Sequence, residues 1–171
     1  SRASGARVQE GDALLRLAQL AGEEGDVEEA LRMAEAAIVA LREVSTPAAA
    51  EALYLLGKFR WRAGEAEDAH AALEEAVTFA GSRNPEIGVL ARALLACMPG
   101  GDVDAALEAF EASGGGKHAM EAHYLLWTVT GDRSRLDEAR RILDQLIEHA
   151  PADCRDAVRQ KVRLHREILE A

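Results

Sequence analysis

Only a few groups of residues in this chain carry types and spacings that suggest chemistry. Gly114-Gly115-Gly116-Lys117 has the look of a phosphate loop. That loop needs Gly, four residues, then Gly-Lys-Ser/Thr after a strand. Here Glu111 stands at the first glycine position and His118 at the hydroxyl position, and a helical pattern precedes. His118 and His123 flank Glu121. Two zinc-ligating histidines on one helix must lie one turn apart, whereas a spacing of five residues turns these to different faces. His149, Cys154 and His165 lie near the C-terminal end without an evident fourth ligand. Cys97 falls in an apolar helical run, where burial raises a thiol pKa and makes the sulfur inert. The sequence therefore points to no enzyme, no metal and no cofactor in this chain.

A different kind of chemistry comes from two helical stretches. Glu51, Tyr54, Lys58, Trp61 and Arg62 fall on one face at helical spacing. Asp12, Leu15, Gln19 and Glu23 repeat that placement about one repeat earlier. Two aromatic rings interleaved with two cations suit an acidic or apolar peptide. Packing between repeats is the competing role for Tyr54 and Trp61, and the pattern leaves both open. The candidate partner-binding set is Leu15, Gln19, Tyr54, Lys58, Trp61 and Arg62.

The elements that must position these residues are marked by a repeated phrase. Gly25-Asp26-Val27-Glu28-Glu29-Ala30-Leu31 recurs as Gly64-Glu65-Ala66-Glu67-Asp68-Ala69 and as Gly101-Asp102-Val103-Asp104-Ala105-Ala106-Leu107. A looser copy starts at Gly131-Asp132 and reaches Glu138-Ala139, so its turn holds about three extra residues. Each phrase ends one apolar, helix-like run and opens another. The glycines lie 39, 37 and 30 residues apart. Helix, Gly-Asp turn, helix at such a period is the signature of a stacked helical solenoid.

The expected boundaries follow. Residues 1–9 read as a flexible segment, and helical pairs occupy about 10–46, 47–84, 85–116 and 117–151. The first helix carries Leu14, Leu17, Ala18 and Ala21 on one face. Pro47 and Pro85 suit the first turns of the helices they open. Ser113 to Gly116 reads as a loop or hinge. Residues 152–171 form one last amphipathic helix, a cap on the open end of the solenoid near Ile142, Leu146 and Ile147.

The bulk properties agree with an all-α interaction domain. Aromatics are only 4% and alanine is abundant, which suits closely packed helices, and no alternating strand pattern occurs. The formal net charge is −10, with the acidic excess confined to residues 1–131. A phosphate-backbone binder needs a basic stripe, so nucleic acid is not the expected partner. No apolar run long enough to span a membrane occurs, and Cys97 and Cys154 belong to no Cys-x-x-Cys pair, so the expected location is cytoplasmic. The start at Ser1 reads as the edge of a fragment.

The second pair resembles the tetratricopeptide repeat (TPR) family through Leu53, Leu56-Gly57, Gly64, Ala69 and Ala76. The first pair matches through Leu14, Leu17-Ala18, Gly25, Ala30 and Ala37, and the third keeps Leu90, Gly101, Ala106 and Phe110. Arg60 stands where that family has an aromatic, and Pro47 and Pro85 come about one turn late. The resemblance implies a right-handed solenoid of about four pairs plus a capping helix. It also implies ligand contacts on the first helix of each pair. The run from Thr130 to Ile168 is similar to the segment that closes large bacterial signalling proteins, in which a kinase or ATPase module precedes a TPR array. The implied function is a protein-protein interaction scaffold, with a protein or peptide, or other domains of a parent protein, as partner. Self-association as a structural repeat and small-ligand binding are the alternatives.

Overall fold

The computed structural model describes residues 2–171, and among them all regular structure is helical. Ten α-helices follow one another: α1 (Arg2–Glu24), α2 (Val27–Leu41), α3 (Thr46–Arg62), α4 (Ala66–Ala80), α5 (Pro85–Ala96), α6 (Val103–Ser113), α7 (Ala119–Thr130), α8 (Arg133–His149), α9 (Arg155–Lys161) and α10 (Arg163–Glu170). A 3₁₀ turn, Gly116–His118, joins α6 to α7. Helices pack in consecutive pairs, α1 on α2, α3 on α4, α5 on α6 and α7 on α8. The first helices of the pairs also touch in series, α1 to α3, α3 to α5 and α5 to α7. The result is a TPR-like helical solenoid with α1, α3, α5 and α7 as its inner layer.

Local chemistry explains most of the helix ends. Gly25, Gly64 and Gly131 have φ of 84°, 83° and 71°, the left-handed region that lets a helix stop within one residue. Asp26, Asp102 and Asp132 then cap α2, α6 and α8, accepting from the backbone N–H of Glu29, Ala105 and Ser134. In the third copy the left-handed position moves to Gly100, with φ 78°. Gly101 is required for a different reason: a Cβ there would lie 2.2 Å from the Leu95 carbonyl oxygen.

The pairs meet through small residues. A Cβ on Gly57 would come within 2.6 Å of the Leu73 side chain and 3.2 Å of the Ala69 carbonyl oxygen. Gly57 and Ala69 therefore approach closely across the pair, with Leu73 filling the space. Gly11 lies under Leu41, and Gly22 under the Phe59 ring of the next repeat. Ala30, Ala37, Ala69 and Ala76 are fully buried. One continuous core runs from Leu15 on α1 to Ala122 on α7, built on Leu41, Leu53, Leu73, Ile87 and Leu90. A separate cluster closes the C-terminal end: Ala139, Leu143, Ile147 and Ile168, flanked by Met120, Tyr124, Val158 and Leu164.

The structure corrects several expectations. Residues 2–9, expected to be a flexible segment, are the first turns of α1, while Ser1 lies outside the described residues. Leu17 does not share the buried face of α1 and is 50% exposed. That face is set by Gly11, Ala18 and Gly22, the positions where α2 and α3 come closest. The three residues assigned to a longer fourth turn are the first turn of α8, because the Asp132 carboxylate caps the helix directly after Gly131. Gly115, expected in an open hinge, is buried, and a Cβ there would lie 2.4 Å from the Ala119 Cα.

The largest correction concerns residues 152–171. They form two helices rather than one, broken at Val162 with extended backbone (φ −93°, ψ 119°). The break leaves carbonyls of α9 open. The His165 imidazole takes the Val158 carbonyl at 2.7 Å, and Arg166 donates to that of Gln160. α10 packs beside Ala139, Leu143 and Ile147 of α8. Leu146 stays 46% exposed and Leu169 45%.

Candidate protein-interaction groove

α10 brings the C-terminal end of the chain across the inner layer. Between it and the solenoid lie two adjoining cavities. The larger, about 310 Å³, is walled by Tyr54, Lys58, Trp61 and Arg62 of α3, by Glu121, Tyr124 and Thr128 of α7, and by Arg163, Leu164 and Glu167 of α10. The smaller, about 250 Å³, brings Gln19 and Glu23 of α1 to Glu51, Tyr54 and Lys58, with Val162 and Leu164 opposite.

Five of the six predicted site residues thus line one continuous groove: Gln19, Tyr54, Lys58, Trp61 and Arg62. The sixth, Leu15, does not. It is 6% exposed and belongs to the core. Small residues determine which way α1 rolls, and with Gly11 and Gly22 seated on α2 and α3, Leu15 points inward.

Tyr54 and Lys58 are committed within the fold. Both donate to the same oxygen of Glu121, the Tyr54 hydroxyl at 2.7 Å and the Lys58 ammonium at 2.8 Å. The pair joins the second repeat to the fourth across the inner layer, and only 18% of the Lys58 side chain and 16% of that of Glu121 are exposed. Burial alone would push the Glu121 carboxyl up. The Lys58 charge, aided by hydrogen bonds from Lys58 and Tyr54, carries it below the ordinary range. Burial, then the Glu121 charge, pushes the Tyr54 phenol well above its usual value. These two residues hold the groove in shape.

Trp61 and Arg62 are half-buried and open to the larger cavity. The Arg62 guanidinium lies 5.9 Å from the Phe59 ring centre. Among the described residues it has no carboxylate at ion-pair distance, whereas Lys58 pairs with Glu121 and Arg163 with Glu167 at 2.7 Å. Burial, and after it the nearby Arg163 charge, lowers its pKa. Arg62 is therefore a desolvated cation that a better-placed acidic group would stabilise.

Several groove residues lay outside the predicted set: Glu121, Tyr124, Arg163, Leu164 and Glu167. A signal for two of them existed. Glu121, Tyr124 and Thr128 recur at spacings of 3 and 4 on the first helix of the fourth pair, the face that Tyr54, Lys58 and Trp61 occupy on the second. The α10 residues carried no such signal, because their place depends on the break at Val162.

Of the other groups singled out in the sequence, His118 borders the smaller cavity and Cys97 the larger, and the rest lie elsewhere. Gly114–Lys117 follows a helix and leads into the 3₁₀ turn. His118 Nε2 and His123 Nδ1 are buried without a hydrogen-bond partner, and the His123 ring packs edge-on against Phe110. Burial lowers the pKa of both. Cys97 donates toward the Ala93 carbonyl at 3.2 Å, and burial pushes its thiol up. Among the described residues no three His, Cys, Asp or Glu side chains converge as a metal site would require. No described helix is long and apolar enough to cross a membrane.

Neither the curated proteins nor the solved structures hold a match to this chain. Residues 12–40, which span the second half of α1 and α2 up to Ala40, match the family model described as tetratricopeptide repeat.

Proposed function

We propose that this chain is a protein-interaction module that takes a peptide segment of its partner in the inner groove. TPR repeats generally mediate protein-protein contacts, and one stretch of the chain matches that family. The observation that carries the reading is the groove itself. Gln19, Trp61 and Arg62 face cavities of 250 and 310 Å³, and a helical segment already lies across them. The Lys58–Glu121 pair keeps the walls in register without a ligand. Such a preorganised surface loses little ordering entropy when a peptide docks. The net charge of −10 supports a protein partner over nucleic acid.

The finer context belongs to the same reading. The module is the C-terminal TPR part of a larger bacterial signalling protein, such as a Ser/Thr kinase, acting in the cytoplasm, with catalysis carried out elsewhere in that protein. The similarity of the run from Thr130 to Ile168 to the closing segment of such proteins supports it.

A photoreactive amino acid placed in turn at position 61, in the groove, and at position 70, on the exposed side of α4, tests the docking surface. Cross-linking of a partner from position 61 and not from position 70 is the expected result. The opposite pattern would move the binding surface off the groove.

A further inference from the structure

The segment lying across the groove is the chain's own, and its attachment there is uneven. Its inner end is firm: Ile168 is fully buried beside Leu143 and Ile147. Its outer end is not. The Arg163 amide donates to the Glu23 carboxylate at 2.6 Å, at an exposed position. Val162 borders the smaller cavity, and Leu164, only partly buried against the Leu143–Ile168 cluster, borders both. The remaining ion pair of that end, Arg163 to Glu167, lies within α10 and does not hold it to the groove. α10 is eight residues long and separated from α9 by the extended Val162. A helix of that length has little stability away from its docking surface.

We propose that α10 is the groove's resident occupant and that the partner takes its place. This rests on the reading of the groove as the docking surface and adds the chemistry of the partner. The partner is a short segment that becomes helical on docking. It presents apolar side chains two residues apart, as Val162 and Leu164 do, and an acidic group that meets Arg62 more closely than Glu167 does. Binding is then an exchange. The tethered α10 competes at the high effective concentration of an intramolecular group, so the groove reaches a partner only in the fraction of molecules in which α10 has left.

The probe is a fluorescently labelled synthetic peptide with the sequence of residues 160–171, titrated against the full chain and against Ile168→Ala. That substitution weakens the resident helix and leaves every groove residue of α1, α3 and α7 in place. The peptide should bind Ile168→Ala at least tenfold more tightly than the unaltered chain, and should shift the amide signals of residues 54–62. Leu164→Lys, which adds another cation to the cavity wall that holds Arg62, serves if Ile168→Ala loses its near-ultraviolet circular dichroism. Equal affinities, or binding to neither variant, would overturn the exchange. A partner that still cross-links from position 61 in that case leaves the groove as the docking surface and removes only α10 as its occupant. Peptide binding with no shift in residues 54–62 counts against both.

Discussion

The α3–α4 pair and the α7–α8 pair reach a buried core by different routes. In the first, Gly57 lets α4 approach until Leu73 and the Ala69 backbone lie against α3, and Ala69, Leu73 and Ala76 are sealed along one face. The two helices satisfy each other. In the second, Leu143 and Ile147 of α8 meet Met120 and Tyr124, which remain partly buried, and the cluster is closed by the fully buried Ile168 of α10 with Val158 and Leu164 partly buried beside it. One half of the solenoid is completed by shape and the other by a short helix brought back from the end of the chain. Close packing along a whole seam makes a cooperative unit, whereas a surface covered by a few side chains on short helices opens locally.

That contrast is open to a direct test. Leu73→Ala leaves a hole in the α3–α4 seam and should cost about 2–5 kcal/mol. Ile168 is equally buried, but its loss can be limited by release of α10 alone. Ile168→Ala should therefore cost less than half as much in denaturant unfolding, read from the midpoint at an unchanged slope. Equal costs would mean that α10 belongs to the same cooperative unit as α3 and α4.

Overpacking probes the seam from the other side. Ala69→Leu forces a branched side chain into the space that Gly57 and Leu73 already occupy and should cost about 1–3 kcal/mol. Leu146→Ala, on the exposed side of α8, should change stability by less than about 0.5 kcal/mol. An unaltered melting temperature for Ala69→Leu would mean that the two backbones are not in close contact.

These particular residues show which features of the fold were legible in the sequence. Most helix ends were, because left-handed glycines and Asp caps act within a few residues of the chain they terminate. Gln19, Trp61 and Arg62 were legible as groove residues because a helical face repeats with a fixed period. Leu15 was misread because the roll of α1 is set by two absent side chains, Gly11 and Gly22, and apolar counting gives weight to what is present. The break at Val162 had no local marker beyond a β-branched residue. It is held by His165 on the Val158 carbonyl and by Glu23, 140 positions away from Arg163. Glu121 was missed for a similar reason: its partners, Tyr54 and Lys58, are brought to it only by the stacking of repeats.

The two halves should also differ in their response to acid. His118 and His123 lie in the C-terminal half, and burial depresses both pKa values below the ordinary 6.5. For His118, Glu51, Glu121 and Glu86 oppose that shift and Lys117 adds to it, and for His123, Arg135 and Arg141 add to it against Glu138. The unfolded chain then binds more protons below that pH, so stability is whole above about pH 6.5 and falls as pH drops toward the folded-state values. Glu121, with its carboxyl held below 4.5, stays ionised through this window. Melting temperatures at pH 7.5 and 5.5 should show a loss that His118→Gln and His123→Gln each reduce. A loss unaltered by either substitution would place the acid-sensitive groups elsewhere.

The smallest effect tests the capping that recurs along the chain. Asp26 and Asp102 accept a hydrogen bond from the backbone N–H three residues on, whereas Glu65, at the same place before α4, makes no cap bond. Its longer side chain is directed instead toward Arg60, at 4.0 Å, an exposed contact of little energy. The backbone at Glu65 (φ −88°, ψ 66°) is close to that at Asp26 (φ −84°, ψ 80°), so a shorter carboxylate there can reach the Asp68 N–H as Asp26 reaches that of Glu29. Glu65→Asp should add about 0.5–1 kcal/mol. For a chain of this size that corresponds to a rise of roughly 1–4 °C in melting temperature. Asp26→Ala should lower stability by a comparable amount, which calibrates the value of one cap in this fold. A Glu65→Asp chain that melts no higher would mean that the α3–α4 seam alone sets the stability of α4, with its first turn making no separate contribution.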